Sequence, residues 1–131
     1  MIIVDDRLIL DALSGRLTSD ESIVTTWSFH YRLVRALADE ARWGSLHDAA
    51  TDEARLLVID PPRALVTVLD PRVVTARAAE LARRHTLNLL AAELFAAAIH
   101  HRARVRLSAQ NVGRQWRSIM GAEDIGFDIV D

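Results

Sequence analysis

The sequence predicts an α/β fold: a parallel sheet flanked by helices on both faces. Three observations carry this. Short segments rich in Ile, Val and Thr alternate with segments of helical periodicity along the whole chain, the pattern of strands joined by crossover helices. One late segment, "LNLLAAELFAAAIHH", is apolar almost all round, as befits a helix buried at the centre of a domain. The opening "IIVDD" runs an apolar strand straight into two carboxylates, and parallel sheets bind their ligands beyond the carboxyl ends of the strands.

The elements follow in order. Residues 2–5 read as a short buried strand. Leu8, Ile9, Ala12 and Leu13 have helical spacing, and Gly15 suits a stop. "SIVTT" (22–26) is a second strand, rich in β-branched residues. Thr26 or Ser28 caps the next helix, with Phe29, Leu33, Val34, Leu37 and Ala41 as its apolar stripe and Gly44 as its end. Residues 51–59 read as a helix, though "RLLVI" also fits a strand, and Pro61-Pro62 ends the element either way. "ALVTVLD" (64–70) is a strand. Pro71 then opens a helix to about His85, with Val74, Ala78, Leu81 and Ala82 inward. A loop near Thr86 leads to the buried helix. "VRLSA" (105–109) is a strand, 111–119 a short helix, and "FDIV" (127–130) the last strand. No repeat, linker or low-complexity run interrupts this, so residues 1–131 read as one domain.

Composition narrows the chemistry. The 131 residues suffice for a hydrophobic core without staples. No cysteine is present, which excludes disulfides and thiolate metal sites. No apolar run approaches the roughly 18 residues that span a bilayer. Asp5, Asp6 and Arg7 break the first apolar stretch, so no signal-peptide pattern forms. A soluble, cytoplasmic domain without a membrane partner is expected. The net charge of −2 argues against blanket electrostatic binding of nucleic acid. All 16 basic residues are arginine. The absent lysine removes every mechanism that needs a lysine amine, and with it the phosphoacceptor receiver chemistry that "IIVDD" and "LLVIDPP" otherwise suggest.

The order of these segments resembles the PIN domain, the fold of VapC-type toxin ribonucleases. "IIVDD" followed by a helix is similar to the family's first strand and first acid. "ARAAELARRHTLNLLAAELFAAAIHHRARVRLSAQNV" resembles its second half, and "GFDIVD" its last strand. The resemblance implies a Mg²⁺- or Mn²⁺-dependent endoribonuclease, homodimeric and held by an antitoxin protein, with RNA as substrate. The chemistry is plain. A divalent cation offsets phosphate charge and lowers the pKa of an attacking water, and hard cations prefer clustered carboxylate oxygens.

Carried over residue by residue, the resemblance makes Asp5 and Glu93 the metal-binding acids. Asn111 stands where a fourth acid is usual, as a neutral oxygen ligand or a supporting group. The second acid is missing, because Tyr31 and Arg32 occupy its region. Arg32 in the cleft would pair with Asp5 or Glu93 and close the site without metal, or bind an RNA phosphate. Asp6 reads as the cap of the first helix. His100 and His101 are adjacent on a helix and share no face, which disfavours a two-histidine metal site. Trp27, Trp43 and Trp116 read as core or interface anchors, and Glu40, Asp124 and Asp128 as surface charges. The expectation is therefore an eroded ribonuclease site with weak metal-dependent activity. The rival is a pseudonuclease, a binding or regulatory module that keeps the fold and has lost the chemistry.

Overall fold

A computed structural model describes residues 1–37, 39 and 52–131. Five parallel strands form one sheet in the order β3-β2-β1-β4-β5. They are β1 (Ile2–Val4), β2 (Ile23–Thr25), β3 (Thr67–Val68), β4 (Arg104–Ser108) and β5 (Phe127–Val130). Six helices accompany them among the described residues: α1 (Asp6–Leu13), α2 (Trp27–Leu37), α3 (Asp52–Ile59), α4 (Thr75–His85), α5 (Leu89–His101) and α6 (Trp116–Ala122). This is the α/β architecture that the alternating pattern predicts. None of these helices is long and apolar enough to cross a membrane.

Local chemistry explains the elements. β1 is buried over its whole length, because it lies between β2 and β4. Its register sets Ile3 against Val24 and Val105. Thr26 caps α2, its Oγ1 accepting from the Phe29 amide at 3.2 Å. α5 buries Ala91 through Ala98 without a break. It starts at Asn88, which accepts from the Ala91 amide, and ends at Arg102 in the left-handed region. Along it, Phe95 meets Trp116 edge-on, so Trp116 is a core anchor as expected.

Several boundaries differ from the sequence reading. The strand expected over 64–70 shrinks to Thr67–Val68. The Leu65 and Val66 amides both donate to the Pro62 carbonyl, which keeps the chain turning until Val66. The helix expected from Pro71 splits into a 3₁₀ turn at Pro71–Val73 and α4. β4 begins and ends one residue earlier than "VRLSA". The helix expected over 111–119 becomes a 3₁₀ turn at Ala109–Asn111 followed by α6. The reason is that the Asn111 side chain bonds elsewhere and caps nothing. Ala41, Trp43, Gly44 and Glu40 lie outside the described residues.

The topology fixes where a site can form. From β1 the chain steps outward to β2 and β3, then crosses back beyond β1 to β4 and β5. The direction reverses between β1 and β4, and a crevice opens there at the carboxyl ends of the strands. Asp5 and Asp6 follow β1 directly, and Ser108 ends β4.

Candidate functional site

Asp5 is fully buried at the end of β1. It is also the N-cap of α1, so the expectation that Asp6 caps this helix is corrected by one position. Its carboxylate accepts four hydrogen bonds: Leu8 N and Ser108 Oγ on Oδ1, Ser108 N and Asn111 Nδ2 on Oδ2. The Ser108 amide is the closest donor at 2.6 Å. A carboxylate has about four lone-pair sites, so Asp5 is filled. Its bonds tie the ends of β1 and β4 to the start of α1. Burying the charge costs several kcal/mol, and charge-assisted bonds of about 1.5–3 kcal/mol each offset that. The arrangement therefore fixes geometry more than it adds stability.

Asp6 turns the other way, into the cleft. Arg32 reaches it from the second turn of α2 with two N–H groups, Nε to Oδ2 at 2.7 Å and Nη2 to Oδ1 at 2.9 Å. Nη2 also donates to Asn111 Oδ1 at 2.8 Å. Asn111 closes the ring, its Nδ2 donating at 2.8 Å to both Asp5 and Asp6. The Arg32 guanidinium lies 5.3 Å from the centre of the Phe29 ring, one turn earlier on α2. The pKa of Arg32 is raised, first by the bonds to Asp6 and then by the charges of Asp6 and Asp5, against the opposing effect of burial. The Arg32 side chain stays 40% exposed and Asp6 15%, so the pair itself adds only about 1 kcal/mol.

Glu93 is engaged by a different partner. It is buried in the second turn of α5 and accepts from the amide and the hydroxyl of Ser28, in the first turn of α2. A carboxylate there satisfies a free helix amide and meets the positive end of the helix dipole. No hydrogen bond or ion pair joins Glu93 to Asp5, Asp6, Arg32 or Asn111.

Four of the residues singled out from the sequence meet at the crevice: Asp5, Asp6, Arg32 and Asn111. Arg32 does close on an acid, but the acid is Asp6, because Asp5 is already occupied inward. The sequence reading passes over Ser108 and takes Ser28 only as an alternative cap of α2. A serine ending a strand at the carboxyl rim was the available signal for Ser108. His100 and His101 pack edge-on, their ring centroids 4.7 Å apart. Asp128 pairs on the surface with Arg104.

The donor set does not fit Mg²⁺ or Mn²⁺ as it stands. A cation at Asp5 must displace one of four bonds, and one at Asp6 must displace Arg32. Asn111 presents its nitrogen, not its oxygen, to the acids. Among the described residues no group of three or more His, Asp or Glu side chains is placed to hold a metal. Beside the ring lies a cleft of about 490 Å³, walled by Asp6, Arg7, Leu33, Ser108, Gln110 and Asp131 among others. No protein-family model matches the chain, and no curated protein matches it. The functional reading therefore rests on the residues themselves.

Proposed function

We propose that this chain is a PIN-like domain of the VapC toxin-ribonuclease type whose acidic centre has been closed by an arginine. It is a pseudonuclease that binds RNA and does not hydrolyse it. The observation that supports this is Arg32 held by both oxygens of Asp6 and by Asn111. The guanidinium supplies the positive charge that a hydrolytic cation would supply, but it polarises no water and lowers no water pKa. The homodimer and the antitoxin partner that the resemblance implies belong to the same proposal, as does a cytoplasmic location.

The second reading is the active Mg²⁺- or Mn²⁺-dependent endoribonuclease. It is favoured by the meeting of Asp5, Asp6 and Asn111 at the carboxyl rim, where oxygen donors become free if Arg32 leaves. Calorimetric titration with Mg²⁺ and Mn²⁺ separates the two, with RNA cleavage followed alongside. Two unit charges about 5 Å apart interact by roughly 3 kcal/mol at an effective dielectric near 20, or about a hundredfold in affinity. Arg32→Glu should therefore bind metal roughly a hundredfold more tightly than the wild type, whose binding should be marginal. Tight metal binding and metal-dependent cleavage by the wild type, unchanged in Arg32→Glu, would establish the enzyme and remove the pseudonuclease.

A further inference from the structure

α2 carries a second feature that the ring of Arg32 does not use. Its buried face is Ser28, Phe29 and Leu33. Trp27 and Tyr31 lie on another flank, 44% and 49% exposed. Their rings stack on each other, 5.1 Å between centroids and 12° from parallel. The sequence suggests a core or interface anchor at Trp27. Its exposure places it outside the core.

We propose that Trp27 and Tyr31 form a base-stacking platform for single-stranded RNA, with Arg63 as a phosphate contact. This rests on the RNA-binding reading above. Three observations favour this occupant. The ring pair is already parallel, so an incoming base meets an ordered π surface with little further ordering cost. A hollow of about 370 Å³ beside Trp27 is walled by Arg63, His30, Asp60 and the outer strand β3. Its wall sets Arg63, His30 and Asp60 beside Ile59, Pro61 and Val66, a mixture that suits the polar edges and apolar faces of a nucleotide. Arg63 is exposed and forms no ion pair among the described residues, so its guanidinium is available to a phosphate. The platform also stands on the right rim. Trp27 follows β2 by two residues, Asp5 follows β1 by one, and the two strands are neighbours, about 4.8 Å apart. A strand of RNA crossing the crevice of Asp6 and Arg32 passes the platform. Asp60 on the same wall offsets Arg63, so stacking should dominate and salt dependence should be shallow.

The test uses the full chain and labelled single-stranded RNA of roughly ten nucleotides, within the span of known single-strand sites. Fluorescence polarisation gives affinity, and tryptophan quenching reports stacking. Trp27→Ala should weaken binding roughly 5- to 100-fold and remove most of the quenching, with Trp27→Phe in between. Arg63→Ala should weaken binding and reduce the salt slope by less than about one. Circular dichroism and a urea midpoint confirm that each variant is folded. Equal binding by wild type and Trp27→Ala, without quenching, overturns the platform and leaves the RNA reading standing. Absence of RNA binding by the wild type overturns both. A Trp27→Ala variant that keeps its RNA affinity and turns a sedimenting dimer into a monomer reassigns the pair to self-association and overturns the proposal.

Discussion

The two ends of β4 handle buried polarity in opposite ways. At the carboxyl end, Asp5 is wholly buried and has every bond made, to Leu8, Ser108 and Asn111. Toward the amino end, two buried nitrogens, Nε2 of His101 and Nε of Arg106, have no hydrogen-bond partner among the described residues. Both ends tolerate polar atoms in the interior, for different reasons. The first is a closed network that ties α1, β4 and the turn of Asn111 to the end of β1. The second consists of side chains whose other atoms reach the surface: Arg106 keeps a distant contact of 3.5 Å to Asp128, and His101 is only partly buried. The contrast implies that removing a polar group should be costly at one end and harmless or helpful at the other.

Asp5→Ala is the sharpest way to break the comparison. It leaves the amides of Leu8 and Ser108 without their side-chain acceptor and takes from Asn111 one of its two acceptors. The loss should reach about 3–5 kcal/mol, the range for breaking a buried charged network. Urea denaturation measures it. A loss below about 1 kcal/mol would mean that water replaces the carboxylate and that the network is not closed. The same result bears on function, since an inactive Asp5→Ala variant proves nothing about catalysis unless its fold is checked.

A smaller effect is expected beside the network. Gly113 lies two residues beyond Asn111, and a Cβ there would collide with the indole of Trp116. Trp116 is buried against Phe95, so it cannot simply swing away. Gly113→Ala should cost about 1–3 kcal/mol, as overpacking does. A thermal melt of the variant indistinguishable from wild type would show that the segment carrying Asn111 yields easily.

At the other end the effect is smallest and depends on pH. Burial, and next the neighbouring His100, lower the pKa of His101 below its ordinary 6.5. The unfolded chain then takes up the proton first. Stability is complete above pH 6.5 and is lost as the pH falls through the folded value. His101→Phe should remove that part of the decline and leave stability at pH 8 unchanged or slightly raised. Denaturation midpoints at pH 5 and pH 8 decide it. An equal decline in both proteins would assign the acid sensitivity elsewhere.

Much of the architecture was legible without coordinates. Period-2 and period-3.6 patterns are properties of neighbouring residues, so the alternation of strands and helices, the buried α5 and the order of elements follow from the sequence. The errors fall where local preference met a competing bond. The helix expected over 111–119 starts too early because nothing nearby shows that the Asn111 side chain is engaged by Asp5, Asp6 and Arg32. The strand at 64–70 reads long because propensity does not register the Pro62 carbonyl collecting two amides.

By itself, the sequence determined that this is an α/β domain with acids at the carboxyl end of its first strand, and that an arginine stands in the region where the resemblance expects an acid. Only the tertiary structure decided what those groups do. Ser108 meets Asp5 across 103 residues, and Arg32 meets Asn111 across 79. It also decided which of two adjacent aspartates faces inward. Asp5 is the last position before α1, where the cap geometry points its oxygens at the α1 and β4 amides. Asp6 is the first residue of the helix, and the turn of the backbone swings it into the crevice toward Arg32. Local pattern carries no information about which distant group completes a bond, because that depends on strand order, and strand order is set by packing of the whole chain.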